Sequence, residues 1–212
     1  MKKFIIITFL VVLSANFTFS QQDPVAGKIL DNFSSKASSS KAVYMTFEMT
    51  VKDAVEQTEN TIEGEVIIKK DKYKLSTPDN ILWYNGTALW TLSPEVNEVT
   101  ITTPDAEDDS FISDPSSLFT MYKTGYKYRL VEETQKGSVI DLYPEDLETD
   151  FSRLRLLINK NGELSEAEYK RKDGLTIFIH VKSYNLQKDF PDSIFDFKAE
   201  DYKDVDIIDM RG

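Results

Sequence analysis

Side chains able to carry out covalent chemistry are scarce in this sequence. It contains one histidine, His180, and no cysteine, so it offers neither a thiol nucleophile nor a thiolate metal site. His180 falls on the polar face of a predicted strand, and we interpret it as a surface or rim residue. The Gly-x-Ser-x-Gly run of a nucleophile elbow and the glycine-rich turn of a phosphate site are both missing.

Carboxylates are numerous, but their spacing selects no catalytic pair. Asp108 and Asp109 could act as acid and base, yet solvated surface charge is the simpler explanation in an acidic chain. Asp204, Asp206 and Asp209 lack the glycine and the spaced glutamate of a calcium loop. We therefore predict no catalytic residue, no metal, no cofactor and no enzymatic activity; the alternative is an envelope hydrolase that uses the histidine or a carboxylate pair.

The charge balance disfavours nucleic acid as a partner. The chain has 25 Lys and Arg against 36 Asp and Glu, a formal net charge of −11. Phosphate binding relies on clustered basic residues, and no such excess exists here. With 212 residues, 41% of them hydrophobic, the chain is long enough to bury one sizeable core.

The N-terminus has the pattern of a secretory signal peptide. Two lysines precede an apolar run from Phe4 to Val12, and Thr18 and Ser20 suit cleavage before Gln21. The run is shorter than the roughly 20 residues of a membrane-spanning helix, which disfavours a retained anchor. We therefore predict a cleaved signal peptide over residues 1–20, a single domain over residues 21–212 and a periplasmic location.

Two amphipathic helices are predicted. Asp23-Pro24 is typical of a helix start, and the first helix is expected to end near Ser39. The second is expected from Asp114-Pro115 to Gly125. The residues on their apolar faces are Ile29, Leu30 and Phe33 in the first helix, and Leu118, Phe119 and Tyr122 in the second.

Alternation of apolar and polar residues with a period of two predicts that the rest of the domain forms β-strands. It is clearest over 43–51, 62–68, 154–158 and 177–181, and Asn-Gly and Asp-Gly turn signals separate such runs. The fold class is therefore mainly β, with roughly ten strands in a single curved antiparallel sheet and helices over one face. If Asn85-Gly86 is a two-residue turn, Trp83 pairs with Ala88 and Ile81 with Trp90, and one sheet face carries Ile81, Trp83, Trp90 and Leu92.

One long stretch carries a family resemblance. Residues 64–70 read GEVIIKK and residues 81–90 read ILWYNGTALW, followed by the proline-led PEVNEVT over 94–100. Together with LYP at 142–144, FDF at 195–197 and VDIID at 205–209, in this order, they resemble LolA, the periplasmic outer-membrane lipoprotein carrier family.

The resemblance implies an incomplete β-barrel, closed by the helices as a lid over an apolar cavity for lipoprotein acyl chains. The implied cavity residues are Phe47, Val66, Ile68, Ile81, Trp83, Trp90, Leu92, Leu156 and Ile158, and the implied lid residues are the six apolar residues of the two helices. Lys70 stands where the family has a lid-gating arginine, and a lysine lacks the planar donor fork of arginine.

The resemblance also implies partners. These are acylated lipoproteins, an inner-membrane lipoprotein-releasing ABC transporter and an outer-membrane acceptor, and we expect the carrier to be a monomer. The alternative within the same fold is an exported lipid-binding or envelope-sensing module that does not ferry lipoproteins.

Overall fold

The computed structural model describes residues 22–104 and 111–211. The predicted signal peptide, its cleavage site and the acidic run at Asp108-Asp109 lie outside the described residues. Within the described ranges, no helix combines the length and the apolar composition that crossing a membrane requires.

Helix α1 (Pro24–Ser39) begins and ends as the sequence predicts. The Asp23 carboxylate accepts hydrogen bonds from the backbone N–H groups of Val25 at 2.9 Å and Ala26 at 3.2 Å, which caps the first turn. Leu30 and Phe33 lie one turn apart on the buried face, with at most 1% of their surface exposed. The helix is therefore held against the sheet along one apolar stripe.

Twelve strands of the described residues form one open sheet in the order β12-β6-β5-β4-β3-β2-β1-β11-β10-β9-β8-β7. All neighbours are antiparallel except the C-terminal strand β12, which pairs parallel with β6. This is the single curved, mainly antiparallel sheet of an incomplete barrel, as predicted. The strands are β1 (Val43–Asp53), β2 (Thr58–Lys69), β3 (Lys72–Ser76), β4 (Ile81–Tyr84), β5 (Leu89–Ser93), β6 (Glu98–Thr102), β7 (Tyr126–Glu133), β8 (Gly137–Pro144), β9 (Phe151–Asn159), β10 (Leu164–Arg171), β11 (Leu175–Asn185) and β12 (Asp206–Asp209).

The β4–β5 hairpin differs in register from the prediction. Trp83 pairs with Trp90, and Ile81 pairs with Leu92, a shift of two residues. The Asn85 side-chain oxygen accepts from the backbone N–H groups two and three residues later, at 3.0 and 3.1 Å, so the turn is centred one residue further along. Because the shift is even, the four apolar side chains still share a face.

The second predicted helix is wrong in type. The segment contains two short 3-10 helices, Pro115–Phe119 and Met121–Lys123, instead of one amphipathic α-helix. Asp114 still caps the start, accepting from the Ser116 N–H at 2.9 Å. Thr120, at φ −128°, interrupts the helical backbone between the two pieces.

The two faces of the sheet are covered by different parts of the chain. The inner face lies under α1 and residues 111–122 and holds the main core. On the outer face, residues 190–205 pack over two smaller clusters that include Ile67, Trp83 and Val99. The alternation predicted from the sequence is confirmed, and β2, β4 and β5 carry apolar residues packed on both faces.

The free edge of β7 is paired by side chains from the start of the described chain. The Gln22 amide donates to the Tyr126 carbonyl at 2.6 Å and accepts from the Tyr128 N–H at 3.1 Å. The second carboxylate oxygen of Asp23 accepts from the Leu130 N–H at 2.9 Å. These contacts satisfy an otherwise open strand edge and fix the N-terminus of α1 beside it.

Replacing Asp23 is expected to destabilise the fold and loosen α1. Asp23→Ala removes the cap and the Leu130 contact, so we expect a loss of about 1–2 kcal/mol in the free energy of unfolding, measured by urea denaturation at pH 7. Hydrogen bonds from the backbone of Leu130 and Ala26 lower the pKa of Asp23 below 3.8. The difference between the two proteins should therefore shrink as the pH falls below 3.8, and a difference that persists unchanged would contradict this account.

Candidate functional site

An apolar cavity of about 100 Å³ lies between the inner face of the sheet and the segment that covers it. The side chains around it are hydrophobic apart from one threonine, and none is charged. They are Met45, Phe47, Met49, Val66, Leu75, Thr77, Phe111, Ile112, Pro115, Leu118, Leu164, Ile179 and Val181.

Strand geometry explains the sheet side of the cavity. Residues two apart on a strand point to the same face, so Met45, Phe47 and Met49 of β1 all face inwards. Their partners on β11 continue the wall, since Phe47 pairs with Val181 and Met49 with Ile179. Three neighbouring strands, β11, β1 and β2, thus build a continuous hydrophobic wall.

The cover over the cavity is irregular, and side-chain contacts join it to β3 and to α1. The Tyr73 hydroxyl of β3 donates to the Ser113 carbonyl at 2.8 Å. The Tyr122 hydroxyl donates to the Asp31 carboxylate at 2.6 Å, which joins the covering segment to α1. Phe119 packs on Phe33 of the helix with ring centroids 4.9 Å apart. The helix and the 3-10 segment therefore form one connected cover.

The cavity is too small for an acyl chain in this closed arrangement. A cavity of about 150 Å³ in another protein accommodates one benzene molecule, and the present one is smaller. An aliphatic chain could enter only if the cover moved away from the wall. The site is thus a partly covered hydrophobic compartment that would enlarge if residues 111–122 moved away from the sheet.

Residues 16–144 match the family model described as outer membrane lipoprotein carrier protein LolA. The chain belongs to this family.

A curated protein and several solved structures are similar to the chain. The chain is 25% identical over 186 residues to the outer-membrane lipoprotein carrier protein of Vibrio cholerae serotype O1, covering 86% of this chain and 90% of the relative. An uncharacterized conserved protein of Thermus thermophilus has the same fold with a TM-score of 0.53 at 13% identity, covering 87% and 99% of the two chains. A LolA superfamily protein from Nitrosomonas europaea has a TM-score of 0.46 at 14% identity, covering 81% and 97%.

The structure brings together eleven of the fifteen residues expected in the cavity and lid of this LolA-family chain. Phe47, Val66 and Leu118 line the cavity itself. The others lie in the same inner core without reaching the cavity surface. They are Ile68, Leu156 and Ile158 on the strands, Ile29, Leu30 and Phe33 on α1, and Phe119 and Tyr122 in the covering segment.

Four predicted cavity residues are on the wrong face. Ile81, Trp83, Trp90 and Leu92 point outwards, away from α1, and belong to a separate cluster. Trp83 packs edge-on against Phe197 and Tyr202, with ring centroids 5.5 and 5.7 Å away. Alternation showed that the four share a face but did not reveal which side of the sheet is concave, because the residues that cover them come from the distant C-terminal segment.

Sequence reasoning missed most of the lining. Met45, Met49, Ile179 and Val181 were already in the alternating runs, so the period-two signal that selected Phe47 was enough to find them. Leu164 and the residues at 111–112 carried no such signal, because they follow a turn or lie in irregular chain. Their position depends on tertiary packing.

Lys70 and His180 lie away from the cavity. Lys70 is exposed in the β2–β3 turn with φ 59°, and the lysines on either side of that turn, Lys69 and Lys72, pair with Asp192 at 2.7 and 2.9 Å. His180 is exposed on the outer face, 3.9 Å from the Glu166 carboxylate. Over residues 22–104 and 111–211 no cluster of potential metal ligands occurs.

The link between Tyr122 and Asp31 should control the mobility of α1. Burial and the Asp31 hydrogen bond raise the pKa of Tyr122 to about 12, so the phenol is a donor at neutral pH. Tyr122→Phe keeps the ring and removes the donor. We expect the variant to lose about 1 kcal/mol in its free energy of unfolding. Amide hydrogen exchange should accelerate, relative to the wild type, more in α1 than in β9. Above pH 10 the wild-type advantage should fall, because the unfolded phenol ionises before the folded one.

A matched control comes from the outer face. The Tyr143 hydroxyl donates to Asp141 at 2.9 Å and touches neither α1 nor the cover. Tyr143→Phe should therefore leave amide exchange in α1 at its wild-type rate. Equal acceleration of α1 by both variants would show that the helix responds to global stability and not to its contact with Tyr122.

Proposed function

We propose that this protein is a periplasmic carrier that holds the acyl chains of lipoproteins and ferries them from the inner to the outer membrane. The observation that carries the proposal is an uncharged compartment, hydrophobic apart from one threonine, beneath a cover of short helical segments in a chain of the LolA family. The function requires binding and release without a covalent step.

The energetics suit reversible binding. Burying one methylene group gains about 0.8 kcal/mol, so enclosing even part of an acyl chain would keep a lipoprotein out of water. Opening the cover exposes Phe33, Leu118 and Phe119, which are at most 6% exposed when the site is closed. The acyl chain replaces these contacts. The net free energy of binding is therefore the free energy gained from contacts with the acyl chain minus that lost when the cover leaves the sheet. A small difference permits release.

The partners follow from this role. Cargo would be received from an inner-membrane lipoprotein-releasing ABC transporter and delivered to an outer-membrane acceptor, with the carrier acting as a monomer. Movement of the cover would accompany both steps. The gating role of Lys70 stays a prediction. Lys70 is exposed in the β2–β3 turn, where it could contact the surface of a partner.

The proposal can be tested with a charge placed in the cavity wall. Met49→Glu has nearly the same side-chain length and puts a carboxylate on the inner face of β1. An unpaired charge in an apolar site costs several kcal/mol, so we expect at least a tenfold loss of affinity for a fluorescent acyl lipid. Lipoproteins that co-purify with the exported wild-type protein, identified by native mass spectrometry, should be absent from the variant.

Phe178→Glu is the matched control. Phe178 is a half-buried apolar residue that lies opposite Thr50 on the outer face, next to the Met49 position. Its replacement should leave binding unchanged. Loss of binding in both variants would point to unfolding. Free lipid without acylated protein in the wild-type sample would favour a general lipid-binding module, and a wild-type protein with no apolar ligand would refute the carrier function.

A further inference from the structure

One polar group on the inner face has no partner. The hydroxyl oxygen of Tyr184 is inaccessible to solvent and makes no hydrogen bond within the described parts of the chain. Two other tyrosines of the same core each have one, since Tyr73 donates to Ser113 and Tyr122 donates to Asp31. A buried hydroxyl without a partner costs stability, and in a native protein such a group calls for an explanation.

A β-bulge places Tyr184 on the inner face of the sheet. Phe47 pairs with Val181, but the pairing then shifts, so that Thr46 meets Ser183 and Met45 meets Tyr184. Regular alternation after Val181 would place the tyrosine on the outer face. The extra residue in β11 reverses this and sets the phenol opposite Met45, which lines the cavity. Bulges frequently re-aim a side chain next to a functional site.

The chemistry of the hydroxyl is that of a donor. Burial is the main cause that raises the pKa of Tyr184, and the nearby Glu163 carboxylate adds to it, so the phenol keeps its proton at neutral pH. Met45, the partner of Tyr184 across the two strands, offers no oxygen acceptor in its side chain. The hydroxyl is thus a donor without a partner on the inner face of the sheet, beside Met45 of the cavity wall and not itself part of the cavity lining.

We propose that the Tyr184 hydroxyl donates a hydrogen bond to the ester carbonyl of an acyl chain bound in the compartment. This rests on the acyl-binding function proposed above. An ester-linked chain consists of methylene groups and a carbonyl oxygen that accepts hydrogen bonds. Such a chain complements the apolar inner face, on which the Tyr184 hydroxyl is a donor without a partner. The pairing would favour acyl esters over hydrocarbon or ether-linked chains, because an ester carbonyl is a stronger acceptor than an ether oxygen and a hydrocarbon has no acceptor.

The experiment compares two lipids that differ only in the ester carbonyls of their two chains. Dipalmitoylglycerol and dihexadecylglycerol compete against bound diphenylhexatriene on the purified wild-type protein, Tyr184→Phe and Tyr44→Phe. Tyr44 precedes Met45 and points to the outer face, where it donates to Glu65 at 2.8 Å. We expect the wild type and Tyr44→Phe to bind the ester about fivefold more tightly than the ether, the effect of one net hydrogen bond. Tyr184→Phe should bind both equally.

Other outcomes would overturn the inference in distinguishable ways. No ester preference in the wild type, or an ester preference retained by Tyr184→Phe, refutes the role of this hydroxyl while leaving the carrier function intact. Equal weakening of both lipids in Tyr184→Phe, with lower thermal stability, would make the residue a packing element. We expect the opposite, a variant at least as stable as the wild type, because an unpaired hydroxyl has been removed. If neither lipid binds the wild type, the carrier function fails and the inference with it.

Discussion

The hydrophobic inner face of the single open sheet has to be kept from water without a second sheet to pack against. Helix α1 and residues 111–122 meet this requirement, burying Leu30, Phe33 and Leu118 against the strands. Apolar surface contributes about 25 cal/mol per Å² removed from water, so an uncovered inner face would be strongly unfavourable. The closed cover, the small residual cavity and the need for movement before a ligand can enter all follow from this one constraint.

The wall and the cover differ in how they are held, and this difference makes opening feasible. β1 pairs with β2 over its whole length and with β11 over ten residues, so the wall is a continuous hydrogen-bonded ladder. The cover consists of one helix and short 3-10 turns, joined to the sheet and to each other by side-chain contacts such as Tyr73–Ser113 and Tyr122–Asp31 and by no strand ladder within the described residues. Elements with few ladder hydrogen bonds open at lower free energy than core strands do. Displacing the cover therefore leaves the sheet intact.

The outer face serves stability. Residues 190–205 seal the aromatic cluster around Trp83, and Asp141, which has no exposed surface, is held by the Arg155 guanidinium at 2.6 and 3.0 Å. Burial favours the neutral acid at Asp141, but hydrogen bonds from Arg155 and Tyr143 prevail and lower its pKa. The charged and aromatic contacts of this face belong to the rigid wall, while the inner face retains a nearly uniform hydrophobic surface on which a flexible chain can lie.

The sequence by itself determined the elements governed by local physics. The Asp23-Pro24 start of α1, the period-two strands and their turns are set within a few residues, and the ordered motifs from residue 64 to 209 were sufficient to indicate the family. The tertiary structure decided which face of Trp83 and Leu92 is covered by the C-terminal segment, how Asp114–Gly125 splits into 3-10 turns, and where Tyr184 points after the bulge in β11. Alternation specifies only that residues share a face, whereas register shifts and covering segments depend on contacts between residues that are distant in the sequence, from 40 positions for Tyr73–Ser113 to 137 for Thr46–Ser183.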